Sequence, residues 1–217
     1  MIKVSAFRWV PPFAQGLVRE FRVRWALEEA GLPYEERLIG PAEQKSRDYR
    51  ELQPFGQVPA YEEDGLTLFE SGAIVLHIAE RSAALLPAAA AARERARAWM
   101  FAALNTIEPP IQNLAELDLF HGGEEWTRQR RPQVVEAVRK RLTGLVDFLG
   151  DREYLEDRFT AADLMMTTVL RILRHTELLE EVPRLVAYRQ RCEARPAFSR
   201  AMAAHMAPFA VNGPPAA

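Results

Sequence analysis

Phe55-Gly56-Gln57-Val58-Pro59-Ala60-Tyr61-Glu62-Glu63-Asp64-Gly65-Leu66-Thr67-Leu68-Phe69-Glu70-Ser71-Gly72-Ala73-Ile74 is the stretch whose reading decides the fold. Two short runs flank Asp64-Gly65, a dipeptide that accepts the positive φ of a tight turn, so the spacing predicts a β-hairpin. Glu70-Ser71 then precedes an apolar periodic run through Ile74 and Ile78, and Ser71 reads as a helix start. Pro59 has no N–H to give to a sheet ladder, which suits a strand edge.

Upstream, Ile2 to Trp9 alternates well enough for a first strand, and Val10 to Gly16, with two prolines and a glycine, must be loop. A helix is predicted from Leu17 to Ala30, stopped by Gly31, and a second strand from Tyr34 to Ile39. Strand, helix, strand over so short a span implies a parallel pair with a crossover. Gly40 to Asp48 is a polar connection. The first part of the chain therefore reads βαβ, then ββα.

Downstream, alanine-rich Ala83 to Ala92 separates two different patterns and reads as a linker. From Arg93 the chain is helical in character. Helices are predicted over Arg93–Ile107 (ending before Pro109-Pro110), Gln133–Leu149, Thr160–Thr176 and Pro183–Ala194, with an irregular end from Val211. The expected architecture is an α/β domain over 1–82, a linker over 83–92 and an all-α domain over 93–210.

Composition narrows the function classes. A hydrophobic fraction of 48% against 27% charged supports a sizeable core. A net charge of -2 gives no reason to expect nucleic acid or an anionic membrane as partner. The one cysteine, Cys192, excludes a disulfide framework and a thiolate zinc cluster, and fits a reducing compartment. Arg8, Pro11, Pro12 and Arg19 interrupt the start of the chain where a signal peptide needs an apolar core, so a cytoplasmic protein is expected. His77, His121, His175 and His205 are not at paired-ligand spacing, and no metal is expected.

Four passages, in order, carry a resemblance: Arg22-Val23-Arg24-Trp25-Ala26-Leu27-Glu28-Glu29-Ala30-Gly31-Leu32-Pro33-Tyr34-Glu35, Phe55 to Ala60, Leu68 to Ile74, and Phe159-Thr160-Ala161-Ala162-Asp163. Together they resemble the cytosolic glutathione S-transferase superfamily. That resemblance implies a thioredoxin-like domain, an all-helical domain, glutathione as co-substrate and a homodimer. It also implies that Pro59 is cis, exposing the backbone of Val58 to pair with the glutathione cysteine like an added strand. Ser71, at a helix N-terminus, would take the γ-glutamyl carboxylate. Glu70 would meet the ammonium, and Gln57 and Lys45 would hold the glycine end. Read from the residues alone, Ser71 is equally a plain N-cap, Pro59 a trans edge proline, and Lys45 a solvated lysine.

The family's thiolate-stabilising residue is missing. It is a Tyr, Ser or Cys near the end of the first strand or the start of the first helix, and Trp9 to Glu20 contains none of these. Matching Pro12-Phe13 to the family's Ser-Pro-Phe puts Pro11 at the serine position. Three replacements remain: backbone N–H groups of Phe13 to Gln15 with the start of the first helix, the Gln15 amide, or the Arg19 cation. Gln15 and Arg19 are equally ordinary loop residues. With no cysteine there, thiol–disulfide exchange is not expected. The expected activity is attack of glutathione thiolate on a hydrophobic electrophile. The alternative is a non-catalytic ligand-binding or interaction protein of the same fold.

Overall fold

The computed structural model describes residues 1–214. The chain forms two compact units, Met1–Leu86 together with the segment from Arg195 onward, and Pro87–Ala194.

The first unit holds a four-stranded sheet of β1 (Ile2–Phe7), β2 (Tyr34–Ile39), β3 (Ala60–Glu63) and β4 (Leu66–Phe69). The order is β2-β1-β3-β4. β1 and β2 are parallel, whereas β3 is antiparallel to both of its neighbours. The hairpin turns at Asp64 (φ 47°) and Gly65 (φ 87°), the positive-φ pair that the dipeptide predicts. Helix α1 (Glu20–Ala30) crosses from β1 to β2 and ends on Gly31 in the left-handed conformation, whose N–H donates to Leu27 O.

Two short helices, α2 (Pro41–Lys45) and α3 (Arg47–Leu52), occupy much of the stretch expected to be plain connection. At five and six residues they are too short to show a period. Their ends are nevertheless specified, since Glu43 accepts from Gly40 N at 3.1 Å and Ser46 Oγ from Tyr49 N at 3.2 Å. α1 starts three residues later than predicted. Turns closed by Ala14 N–Pro11 O (2.8 Å) and Leu17 N–Ala14 O (3.0 Å) fill the gap, and Gly16 at φ 81° breaks the helical path. Helix α4 (Ser71–Glu80) starts where expected.

The second unit is helical: α5 (Ala90–Ala102), α6 (Glu108–Phe120), α7 (Glu125–Leu149), α8 (Ala161–Leu170) and α9 (Pro183–Glu193). The predicted stop before Pro109-Pro110 is a correction. One π-helical segment, Ala103–Ile107, carries α5 into α6 and places both prolines in the first turn of α6, where a missing N–H costs nothing. α7 begins at Glu125, eight residues earlier than expected, and takes Pro132 inside it. The segment predicted over Thr160–Thr176 tightens to a 3₁₀ turn at Arg171–His175. All ten residues of α8 are buried, and its first turn is a capping box between Thr160 and Asp163.

The expected all-α domain over 93–210 does not hold as one unit. Its last helix, α10 (Pro196–Val211), belongs to the first unit and packs on α1. Phe198 stacks edge-on against Phe21 and Trp25, with ring centres 5.4 and 5.0 Å apart. Arg195 grips Glu29 with two bonds of 2.6 and 2.8 Å, and Arg200 meets Glu28 at 2.7 Å. Of the irregular end expected from Val211, residue 211 closes α10, and residues 215–217 lie outside the described ones.

Candidate functional site

The sheet brings the predicted residues to one end. Ala60 pairs with Phe69, so Val58–Pro59 and Glu70–Ser71 leave the hairpin side by side. Val4 pairs with Tyr61 antiparallel, which carries the C-terminal end of β1, and the loop after it, to the same end. Ligands of α/β sheets collect at such a carboxyl edge, where the connections diverge.

The Val58–Pro59 peptide is cis. Three buried polar residues hold it, none singled out by the sequence pattern. Ala60 N–H donates to Ser5 Oγ at 2.6 Å, Ser5 Oγ meets Tyr49 Oη at 2.8 Å, and Tyr49 O–H donates to Gln57 O at 2.6 Å. Gln53 Oε1 accepts from Phe55 N (2.8 Å) and Gln57 N (3.0 Å). Burial pushes the Tyr49 phenol above its ordinary pKa, so it stays a donor at neutral pH. Both flanks of the cis bond are thus tied down, while the N–H and C=O of Val58 have no hydrogen-bond partner among the described residues. Tyr49→Phe removes the middle of this relay. It is expected to cost about 1–3 kcal/mol of stability, because Gln57 O and Ser5 lose a buried partner. Urea unfolding measures it, and an unchanged midpoint would show that the relay carries no stability.

Ser71 is the first helical residue of α4, and the cap position is Glu70. The plain N-cap reading of Ser71 therefore falls. Its hydroxyl is buried and accepts from Arg22 Nη1 at 3.3 Å. Arg22, itself buried on α1, sets a cation beside the N-terminal N–H groups of α4, and two positive influences converge on one point. Glu70 is exposed, and its backbone has φ 69° and ψ 113°. A non-glycine residue held at positive φ stores strain of about 1–3 kcal/mol, and such strain collects at ligand sites.

The remaining candidates are more dispersed. Gln57 is exposed on the loop, next to Gly56, whose carbonyl accepts from Gln44 Nε2 of α2 at 2.7 Å. Lys45 ends α2 and is exposed, with no hydrogen bond or ion pair from its side chain to another described residue. The Gln15 amide donates to Val10 O at 3.0 Å, so it shapes the loop. Arg19 is exposed at the N-cap of α1. The N–H groups of Ala14 and Gln15 close turns onto Pro11 and Pro12 carbonyls, and that of Gly16 meets His205. Beside this loop a cavity of about 330 Å³ opens between Phe7, Trp9, Pro11, Ile39 and Pro41. Among the described residues no group of three or more His, Cys, Asp or Glu side chains is placed to hold a metal.

Residues 14–80 match the family model described as glutathione S-transferase, N-terminal domain, and residues 112–196 match the C-terminal domain model of the same family. Glutathione S-transferase 3 of Zea mays is 31% identical over 206 residues, covering 84% of this chain and 88% of the relative. The chain belongs to the glutathione S-transferase family.

Glutathione S-transferase 4 of Zea mays is 29% identical over 211 residues, covering 91% of each chain. Among solved structures, a glutathione transferase from Burkholderia graminis with two glutathione molecules bound per subunit superposes with a TM-score of 0.81 at 27% identity, covering 93% of this chain and 87% of that one. The matched stretches of this glutathione S-transferase begin within the loop after β1. The first residues of that loop, up to Phe13, lie outside them, as does the body of α10.

Proposed function

We propose that this chain conjugates the thiol of glutathione to a hydrophobic electrophile. The observation that carries the reading is the unpaired Val58 backbone on a cis-proline edge, set beside the Ser71–Arg22 anion site at the start of α4. A tripeptide with an acidic end and a central residue in extended form satisfies both at once. The Val58 N–H and C=O pair with its cysteine residue, as an edge strand pairs with an added one. Ser71 Oγ–H and the α4 N-terminus take the γ-glutamyl carboxylate, with Arg22 behind them. Glu70 takes the ammonium, and Gln57 and Lys45 hold the glycine carboxylate.

For the thiol, the loop geometry narrows the candidates. The Gln15 amide and the N–H groups of Ala14 and Gln15 are engaged within the loop. The first turn of α1, whose positive dipole end follows directly on the loop, is the group we assign to the thiolate, with the Arg19 cation at its N-cap beside it. A free thiol near pKa 8.5 is only a few per cent ionised at neutral pH, so lowering that pKa raises the reactive fraction directly. The cavity lined by Trp9, Phe7 and Pro41 is apolar enough for a hydrophobic acceptor.

An ultraviolet titration of bound glutathione tests this reading. Thiolate absorbance is expected to appear at least one pH unit below that of free glutathione, equivalent to about 1.4 kcal/mol of thiolate stabilisation. Arg19→Ala is expected to reverse part of the shift. An unshifted titration, with no conjugation across a panel of electrophiles, would overturn the enzyme reading.

We further propose a cytoplasmic homodimer. Its single cysteine, Cys192, is buried and forms no disulfide, in keeping with a reducing compartment. No helix among the described residues is long and apolar enough to cross a membrane. Phe55 and Phe69 form an exposed aromatic pair, ring centres 6.1 Å apart, of the kind a second copy covers. Sedimentation at micromolar concentration is expected to give the dimer mass for the parent chain and a monomer for Phe55→Ser, and a monomeric parent refutes the proposal.

A further inference from the structure

The loop that bears on the thiol is held from a distance by one imidazole. His205 lies on α10, fully buried with its ring against Phe21 and Phe209. Its Nε2 accepts the backbone N–H of Gly16 at 2.9 Å. Its Nδ1 stands 2.6 Å from Glu20 Oε1, a carboxylate as buried as itself. Because Nε2 accepts, the ring proton must be on Nδ1, donating to Glu20. Arg24 is a further charged group close to this pair; its Nε is 3.8 Å from the same Glu20 oxygen and its Nη1 bonds Glu36 on β2.

Burying a carboxylate, a guanidinium and an imidazole together is expensive unless geometry is gained. The gain here is local. Gly16 is the left-handed residue at φ 81° that separates the turns of the loop from α1, two residues before Val18 and three before Arg19. Fixing its N–H fixes where the loop ends and where α1 begins. Glu20 is the first residue of α1, so one imidazole clamps both sides of that junction.

We propose that His205 is a positioning residue for the thiolate-stabilising end of the loop, acting as a fixed Nδ1–H tautomer oriented by Glu20. The inference rests on the conjugation reading above for its catalytic meaning. Nothing in it requires His205 to touch glutathione. What it supplies is the orientation of Arg19 and the first turn of α1, and misplacement by about 1 Å can cost on the order of 100-fold in rate.

Two substitutions separate the two ring nitrogens. His205→Asn keeps a donor near Nδ1 and loses the acceptor at Nε2; His205→Gln offers an amide oxygen near the Nε2 position. The Asn variant is expected to lower conjugation kcat/KM about tenfold or more and to move the bound-thiol titration back toward that of free glutathione. The Gln variant is expected to recover most of both. In the parent protein without glutathione, nitrogen NMR of the His205 ring is expected to show the Nδ1–H tautomer, with the Gly16 amide protected from exchange. A parent thiol shift that the Asn variant retains in full overturns this inference alone, whereas a parent with no shift overturns the conjugation reading and this inference with it. Should the variants fail to fold, the parent measurement decides: an Nε2–H tautomer, or a freely exchanging Gly16 amide, overturns the clamp.

Discussion

Asp163→Ala is expected to lower the unfolding free energy of the helical unit by about 4 kcal/mol, since several buried donors lose their acceptor at once. Its carboxylate is enclosed and takes four bonds. Oδ1 accepts from Leu155 N and Tyr188 Oη, each at 2.9 Å, and Oδ2 from Thr160 N at 2.9 Å and Thr160 Oγ1 at 3.2 Å. Thr160 Oγ1 in turn accepts from Ala162 N at 3.2 Å and closes the first turn of α8. One side chain therefore joins the segment before α8, the start of α8 and, through Tyr188, helix α9. An ordinary capping residue is worth about 1 kcal/mol. Asp163 exceeds that because two of its four donors, Leu155 N and Tyr188 Oη, lie outside the cap. Burial pushes its carboxyl above the ordinary aspartate range, with the donors acting in the opposite direction. A folded-state pKa that is raised means the native state takes up the proton first, so acidification through that range does not remove the contribution. Urea unfolding followed by circular dichroism checks the result. A loss below about 1 kcal/mol would reduce Asp163 to a simple cap.

The contrast between Asp163 and His205 explains what the sequence made legible. Thr160-Ala161-Ala162-Asp163 is a contiguous pattern with local physics, and so are Asp64-Gly65, Gly31 and the apolar run after Ser71; each produced the element it implies. Val58–Pro59 became legible only through the ordered family motifs, since an isolated proline gives no isomer. The misses around the site are non-local. Ser5, Tyr49 and Gln53 are unremarkable in composition, and become a relay only when β1, α3 and the loop before β3 are brought together. Arg22 and Arg24 are charged residues of α1 that become buried only in the fold, Arg22 against Ser71 of α4 and Arg24 against Glu36 of β2. α10 itself is alanine-rich with a proline near its end, and its partner helix lies at the opposite end of the chain. Pro109-Pro110 misled in the other direction, because a π segment shifts the backbone by one residue and turns two apparent breakers into a helix start.

Ser71→Ala is expected to weaken glutathione binding by about 10- to 150-fold, the equivalent of roughly 1.5–3 kcal/mol for a hydrogen bond to a charged group. The reason lies in how its hydroxyl is committed. Ser71 Oγ accepts from Arg22 Nη1, so its lone pair is engaged and its proton is directed elsewhere. It is also the first residue of α4, with a backbone N–H that has no helical acceptor. A carboxylate placed there takes the hydroxyl proton, the N-terminal N–H groups and the field of a buried guanidinium. The alanine variant keeps the backbone groups and the dipole but loses the hydroxyl and Arg22's bond to it, which is why a residual affinity is expected. Ser71→Thr retains the hydroxyl and is expected to bind within a few-fold of the parent, separating lost hydrogen bonding from altered packing. Arg22→Met should weaken binding at least as much as Ser71→Ala, because it removes the charge behind the site and frees Ser71 Oγ to turn. Calorimetric titration with glutathione measures all three. Equal affinity in the parent and Ser71→Ala would place the γ-glutamyl carboxylate away from the α4 N-terminus, and would require a different pose for the whole tripeptide along Val58.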